Sequence, residues 1–225
     1  MRSPALLAAC CASSALLVAA TLAAPPAPSA VKLLYPLAGT VRKPGPVRVL
    51  LAAPKGAPMP SAAWDGKPLR LSRMAFDPAW TAPTPLQRTS DLLGDRSAMD
   101  LWLAAPVAAA GKHTLQAAGR SLALTVNAAA AKGLALAVAH PKPASATCSG
   151  CHTVTQGLLG DAGTPGACAG CHDDAAVQTI HKHVTEPLRR CAMCHDPHEA
   201  ARPNLLCATK EKLCSRCHAL GHSKG

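Results

Sequence analysis

Four copies of one five-residue pattern carry the chemistry of this chain. They read Cys148-Ser149-Gly150-Cys151-His152, Cys168-Ala169-Gly170-Cys171-His172, Cys191-Ala192-Met193-Cys194-His195 and Cys214-Ser215-Arg216-Cys217-His218. Their first cysteines lie 20, 23 and 23 residues apart, so the segment is an internal repeat. Two thiols separated by two residues can each form a thioether with one vinyl group of a haem. The residue that follows then lies under the macrocycle, where its imidazole can bind iron. Zinc would take two cysteine pairs per ion and has no use for a histidine fixed after every pair. A redox dithiol or a disulfide framework leaves that histidine equally unexplained. The repeat therefore points to four covalently bound c-type haems. Cys148, Cys151, Cys168, Cys171, Cys191, Cys194, Cys214 and Cys217 attach them, and His152, His172, His195 and His218 are the proximal iron ligands.

Six histidines remain: His113, His140, His181, His183, His198 and His222. His198 follows His195 by three residues and cannot reach the far side of the same macrocycle, so it is expected to bind a neighbouring iron. Pro197 between them keeps the two rings off one regular helix. His222, four residues after His218, has the same restriction. In "IHKHV", His181 and His183 would point to opposite sides of an extended chain. Methionine ligation has little support, because Met193 lies inside a motif and Met59, Met74 and Met99 lie in the first half. Cys207 belongs to no motif, and an unreactive thiol is the expectation ahead of an intermolecular disulfide.

Residues 140–225 resemble the multihaem c-type cytochromes, in particular the group with the doubled Cys-x-x-Cys-His motif. "CAMCHDPHEAARPNLLCATKEKLCSRCH" carries the resemblance: a first site, a trailing Asp-Pro-His, a Leu-Leu segment and a second site. It covers a little over a third of the chain. The resemblance implies electron transfer through closely packed haems. It also implies that a histidine upstream of a site serves as a distal ligand, which selects His140, and His181 ahead of His183. The distal candidates are thus His140, His181, His198 and His222, with His183 as the alternative. For each, the competing reading is an exposed surface histidine.

The elements that position these groups divide the chain in two. Nine of the eleven cysteines and nine of the ten histidines fall within residues 140–225, where there is no Phe, Tyr or Trp. Such a segment cannot build a core from protein alone, and four macrocycles would supply it, wrapped in short helices and loops. Tyr35, Trp64, Phe76, Trp80 and Trp102 all lie in the first half. There, over residues 31–128, short apolar runs predict strands at 31–37, 47–52, 69–72, 100–103, 113–117 and 122–126. Asp65-Gly66 and Ala118-Gly119 supply tight-turn chemistry, and the Pro-rich stretches 53–60 and 78–85 read as loops. The expected fold is a small all-β sandwich, with an immunoglobulin-like topology as one form of it, followed by a haem-cored domain of short helices and loops. Residues 129–139 read as a linker. His113 reads as an incidental surface histidine, and docking or scaffolding is the default role for this half.

Residues 1–24 have the charge, apolar core and small residues of a secretory signal, with an uncleaved anchor or a lipidated Cys10 as lesser readings that would leave the protein membrane-associated. Localisation is expected to be periplasmic or extracellular, in a bacterium. Residues 31–139 carry thirteen Lys/Arg against five Asp/Glu, and residues 140–225 nine against seven. Haem propionates would reverse the second balance, setting an acidic haem face beside a basic β module that could orient partners. No basic run interleaved with aromatics suggests nucleic acid. The expectation is an electron carrier of bis-histidine haems rather than an enzyme. Its partners would be other cytochromes or a membrane quinol-linked complex. A multihaem reductase with one open haem, and a self-assembling extracellular cytochrome filament, are the alternatives.

Overall fold

A computed structural model describes residues 30–80, 94–127, 134–140, 148–162, 166–172, 191–215 and 218. These residues are β-rich. The strands are β1 (Lys32–Tyr35), β2 (Thr40–Arg42), β3 (Gly45–Pro46), β4 (Val49–Pro54), β5 (Ala62–Trp64), β6 (Lys67–Pro68), β7 (Ser72–Phe76) and β8 (Met99–Ala104). They continue with β9 (Val107–Ala108), β10 (Gly111–Ala117), β11 (Arg120–Val126), β12 (Ala135–Leu136), β13 (Val138–Ala139), β14 (Val154–Thr155), β15 (Leu158–Leu159) and β16 (Glu199–Ala200). One six-stranded sheet runs β1-β4-β8-β7-β15-β14, and a second runs β12-β2-β11-β10-β5-β6. Two ribbons, β3-β9 and β13-β16, complete the pairing.

Alternation along the central strands explains where the core sits. In β4, Val49, Leu51 and Ala53 join Trp102, Trp64, Leu115 and Leu124 in a cluster drawn from both sheets. The intervening Leu50 and Ala52 face the other way, with Leu34, Tyr35, Phe76 and Leu101. Because side chains of a strand point to opposite faces in turn, β4 is buried on both. Leu159, Trp80 and Cys148 pack on that second face, so the first motif rests on the first sheet. The two tight hairpins form as the turn dipeptides predict. Asp65 and Gly66 join Trp64 to its partner Lys67 with φ of 51° and 75°, and Ala118 and Gly119 join Ala117 to Arg120 with φ of 54° and 68°. Two consecutive left-handed residues match the twist of the flanking strands.

Several boundaries differ from expectation. The strand expected at 69–72 begins at Ser72 and runs to Phe76, in register with β8 from Ser72↔Leu103. The described part of the expected linker contains two strands, β12 parallel to β2 and β13 antiparallel to β16. Backbone pairing accounts for them, since the Ala-rich sequence there has little side-chain preference for a strand. Residues 140–225 contain short helical turns, including α1 (Gly166–Ala169) and α2 (Lys210–Cys214), but they also contribute β14, β15 and β16 to sheets and ribbons. The two halves distinguished by composition are therefore joined by backbone hydrogen bonds. The expected signal segment lies outside the described residues, and among those described no helix is long and apolar enough to cross a membrane.

Candidate haem-binding site

The first three motifs share one local geometry, and the described residues of the fourth share its closing hydrogen bond. In each, the backbone N–H of the histidine donates to the carbonyl of the first cysteine: His152 to Cys148 at 2.8 Å, and His172 to Cys168, His195 to Cys191 and His218 to Cys214 at 2.9 Å. Cys151, Cys171 and Cys194 also donate their N–H to that same carbonyl, at 3.2, 3.1 and 3.2 Å. One helical turn thus presents two thiols and an imidazole from a single short arc, which is what double attachment plus iron ligation requires. Cys217 lies outside the described residues. Thiols from different motifs also meet: Cys168 hydrogen-bonds with Cys191, and burial, then Cys191, then Cys151 push the Cys168 thiol up to about 11. Burial likewise raises Cys148. These groups are thiols rather than thiolates, and among the described residues no group of three or more His, Cys, Asp or Glu stands ready to hold a metal ion by itself.

Two of the motif imidazoles are oriented by backbone carbonyls. His152 Nδ1 lies 3.0 Å from the Gly160 carbonyl, and His195 Nδ1 lies 2.6 Å from that of Asn204. A carbonyl accepts only from N–H, so Nδ1 carries the proton and Nε2 keeps its lone pair for a metal. Burial lowers the His152 pKa, against the Gly160 bond, which raises it. The lowering favours the neutral ring, the form in which an imidazole can bind a metal. The residues present therefore fit covalent haem.

His198 is gripped by the β-rich half. Tyr35 donates its hydroxyl to Asp196 Oδ2 at 2.6 Å, and Asp196 Oδ1 accepts the His198 N–H at 2.9 Å. On the other side of the histidine, Glu199 Oε1 accepts the Leu37 N–H at 2.8 Å and pairs with Arg42 in a buried salt bridge. Arg48 Nη1 donates to the His198 carbonyl at 3.2 Å. Strand pairing of Ala139 with Glu199 and of Val138 with Ala200 fixes the register of this loop. Burial, then Arg48 and His152, hold the His198 imidazole well below the ordinary histidine range, so it too is neutral. Tyr35, Arg42, Asp196 and Glu199 were not anticipated from sequence. The acidic residues flanking Pro197-His198 were the only signal available, and their partners lie more than 150 positions earlier.

Among the distal candidates, His198 has its ring 6.1 Å from that of His152, nearly parallel at 8°, and His140 lies 6.1 Å from His172 at 76°. His181, His183 and His222 lie outside the described residues. Cys207 is a half-buried free thiol that donates to the Met193 carbonyl at 3.6 Å. His113 corrects the reading of an incidental surface residue. Its Nδ1 is 2.7 Å from Asp65 Oδ2, its Nε2 is 2.9 Å from the Ala109 carbonyl, and its ring stacks on Trp64 at 5.1 Å. With acceptors at both nitrogens it is a clamp on the Asp65-Gly66 hairpin.

Residues 181–221, spanning the third and fourth motifs, match the family model described as the doubled CXXCH motif, in keeping with a multihaem c-type cytochrome segment. No curated protein and no solved structure matches the chain. The motifs indicate covalently bound c-type haem and a role in electron transfer.

Proposed function

We propose that the chain is an exported tetrahaem cytochrome c that carries single electrons along its haems between redox partner proteins. The observation that carries this reading is the same histidine-to-cysteine backbone hydrogen bond in all four motifs, with the Nδ1 of His152 and of His195 bonded to a carbonyl and Nε2 left for iron. When bound, each haem supplies a one-electron iron couple. The chain's own residues hold the cofactors, fix the imidazole tautomers and, through Trp80, Tyr35 and the apolar face of the first sheet, shield the first site from water. The hydrogen bond between the Cys168 and Cys191 thiols, with Cys151 near enough to act on Cys168 electrostatically, supports close packing of three haems.

The β-rich half is read as an immunoglobulin-like sandwich. Its strand orders β1-β4-β8-β7 and β2-β11-β10-β5, with one apolar cluster shared by the two sheets, support this. Its role here is scaffolding, supported by the grip of Tyr35, Arg42 and Arg48 on the loop that bears His198. Other cytochromes or a membrane quinol-linked complex are the partners proposed, reached through export directed by residues 1–24. Intact mass after expression with a haem-attachment system is the test. A gain of four haems with loss of about two dozen N-terminal residues is expected. A zinc adduct, or no adduct, overturns the reading.

A further inference from the structure

Two ring pairs share a feature that ordinary packing does not require. Each joins one motif histidine to one histidine outside the motifs, and the ring centres of both pairs are 6.1 Å apart. Two imidazoles bound in line to one metal, each with a bond of about 2 Å and a ring centre about 1 Å beyond its nitrogen, are separated by about 6 Å. Direct ring contact explains such a distance for one pair. It does not explain why both pairs combine a proximal ligand with a candidate distal ligand from a different part of the chain. Chemistry at the rings agrees. The Nδ1 of His152 is spent on the Gly160 carbonyl. The His198 Nδ1 is buried without a hydrogen-bond partner, 3.7 Å from Asp196 Oδ1. On metal binding at Nε2 that buried nitrogen would carry the proton, with the carboxylate as its nearest acceptor.

Resting on the haem reading above, we infer that His198 is the second axial ligand of the haem attached at Cys148 and Cys151, and His140 that of the haem attached at Cys168 and Cys171. The rings of the first pair are nearly parallel and those of the second crossed, so the two haems would be held by differently oriented imidazoles. The third motif's trailing loop would then close the first haem, and the residue that follows β13 the second. The two irons differ spectroscopically for a simple reason. Parallel imidazole planes remove the degeneracy of the iron d orbitals that bond with them and give a rhombic low-spin ferric signal. Crossed planes leave those orbitals nearly degenerate and give a strongly anisotropic one.

The experiment uses the full haem-loaded chain and its His198→Gly and His140→Gly variants, read by intact mass and by electron paramagnetic resonance of the oxidised protein. All variants are expected to keep four haems. His198→Gly should lose one rhombic low-spin component and gain one high-spin iron, and added imidazole should restore low spin. His140→Gly should lose a strongly anisotropic component instead. Combining His198→Gly with Cys148→Ala and Cys151→Ala should produce no high-spin iron beyond that of the cysteine variant. Four attached haems with no high-spin signal in His198→Gly, or with the two losses exchanged, overturn the pairing and leave the cytochrome reading standing. Absence of haem from the unmodified chain overturns both. If the cysteine variant does not accumulate, the single variants still decide.

Discussion

The buried pair Arg42–Glu199 gives a sharp test of how the β-rich half supports the haem loop. Both side chains are only 6% exposed, so solvent does little to screen them. Arg42 Nε and Nη1 are buried without hydrogen-bond partners, and Nη2 has Glu199 and the Leu37 carbonyl. Burial lowers the Arg42 pKa, and Glu199 opposes that shift. Glu199→Ala would strand the guanidinium beside one carbonyl and take the acceptor from the Leu37 N–H. Breaking a buried pair from one side destabilises by about 3–5 kcal/mol. The lost Leu37 bond lies within that figure rather than on top of it. Urea denaturation of the haem-loaded protein, followed by circular dichroism, measures the change. Replacing both partners, Arg42→Met with Glu199→Leu, should recover most of the loss, because no unpaired charge then remains. A single-variant loss below about 1 kcal/mol, the value of a surface pair, would refute the claim that this contact is a buried anchor. So would a double variant less stable than the single one.

Other expectations follow from the same contacts. Tyr35→Phe leaves a buried oxygen of Asp196 without its donor and should lower stability by about 1.5–3 kcal/mol in the same assay. Gly66→Ala meets no atom within 4 Å but forces a side chain to φ of 75°, so a loss of about 1–2 kcal/mol is expected from conformation alone. The His113–Asp65 clamp should make stability pH-dependent, measured as the melting difference between the native chain and His113→Asn. The hydrogen bond to Asp65, then that to Ala109, raises the His113 pKa, and the same partner lowers that of Asp65. The stabilisation is therefore full below the unfolded histidine value of about 6.5 and is lost as pH rises through the higher folded value. It is also lost as pH falls through the depressed Asp65 value. The difference should peak near about pH 5 and shrink by about pH 8; a difference that grows toward alkaline pH would contradict the double-donor geometry. Cys207→Ala should leave the haem count by intact mass unchanged.

What the sequence made legible was local. The four motifs, the two turn dipeptides and the strands with strong apolar alternation are all encoded within a few residues, and they appear where expected. Pairings over long separations were not legible. Nothing within "TVR" marks β2 as the parallel partner of β11, because three residues carry too little pattern to specify a strand. Tyr35 looked like one of a few core aromatics, whereas its hydroxyl reaches an aspartate 161 positions away. His113 was misread for the same reason: its partner Asp65 lies on another strand end, and the turn that contains Asp65 was read for its backbone alone. The distal ligands could be shortlisted by asking which histidines are barred from their own haem. Which iron each one serves depends on how the chain returns to itself.

The hairpin of β14 and β15 begins two residues after His152 and continues the first sheet beside β7, where Ala75 and Asp77 donate to the Gly157 and Leu159 carbonyls at 3.1 and 2.9 Å. This joins the ordering of the segment after the first motif to the protein's solubility. A chain whose first motif has not settled leaves β7 as an open edge, with Met74 and Phe76 along a row of unpaired backbone groups. Such an edge is a template for pairing with other chains. Docking of this hairpin and protection from aggregation are thus one event at this strand, and a chain in which the hairpin fails to dock would be read out as insoluble protein.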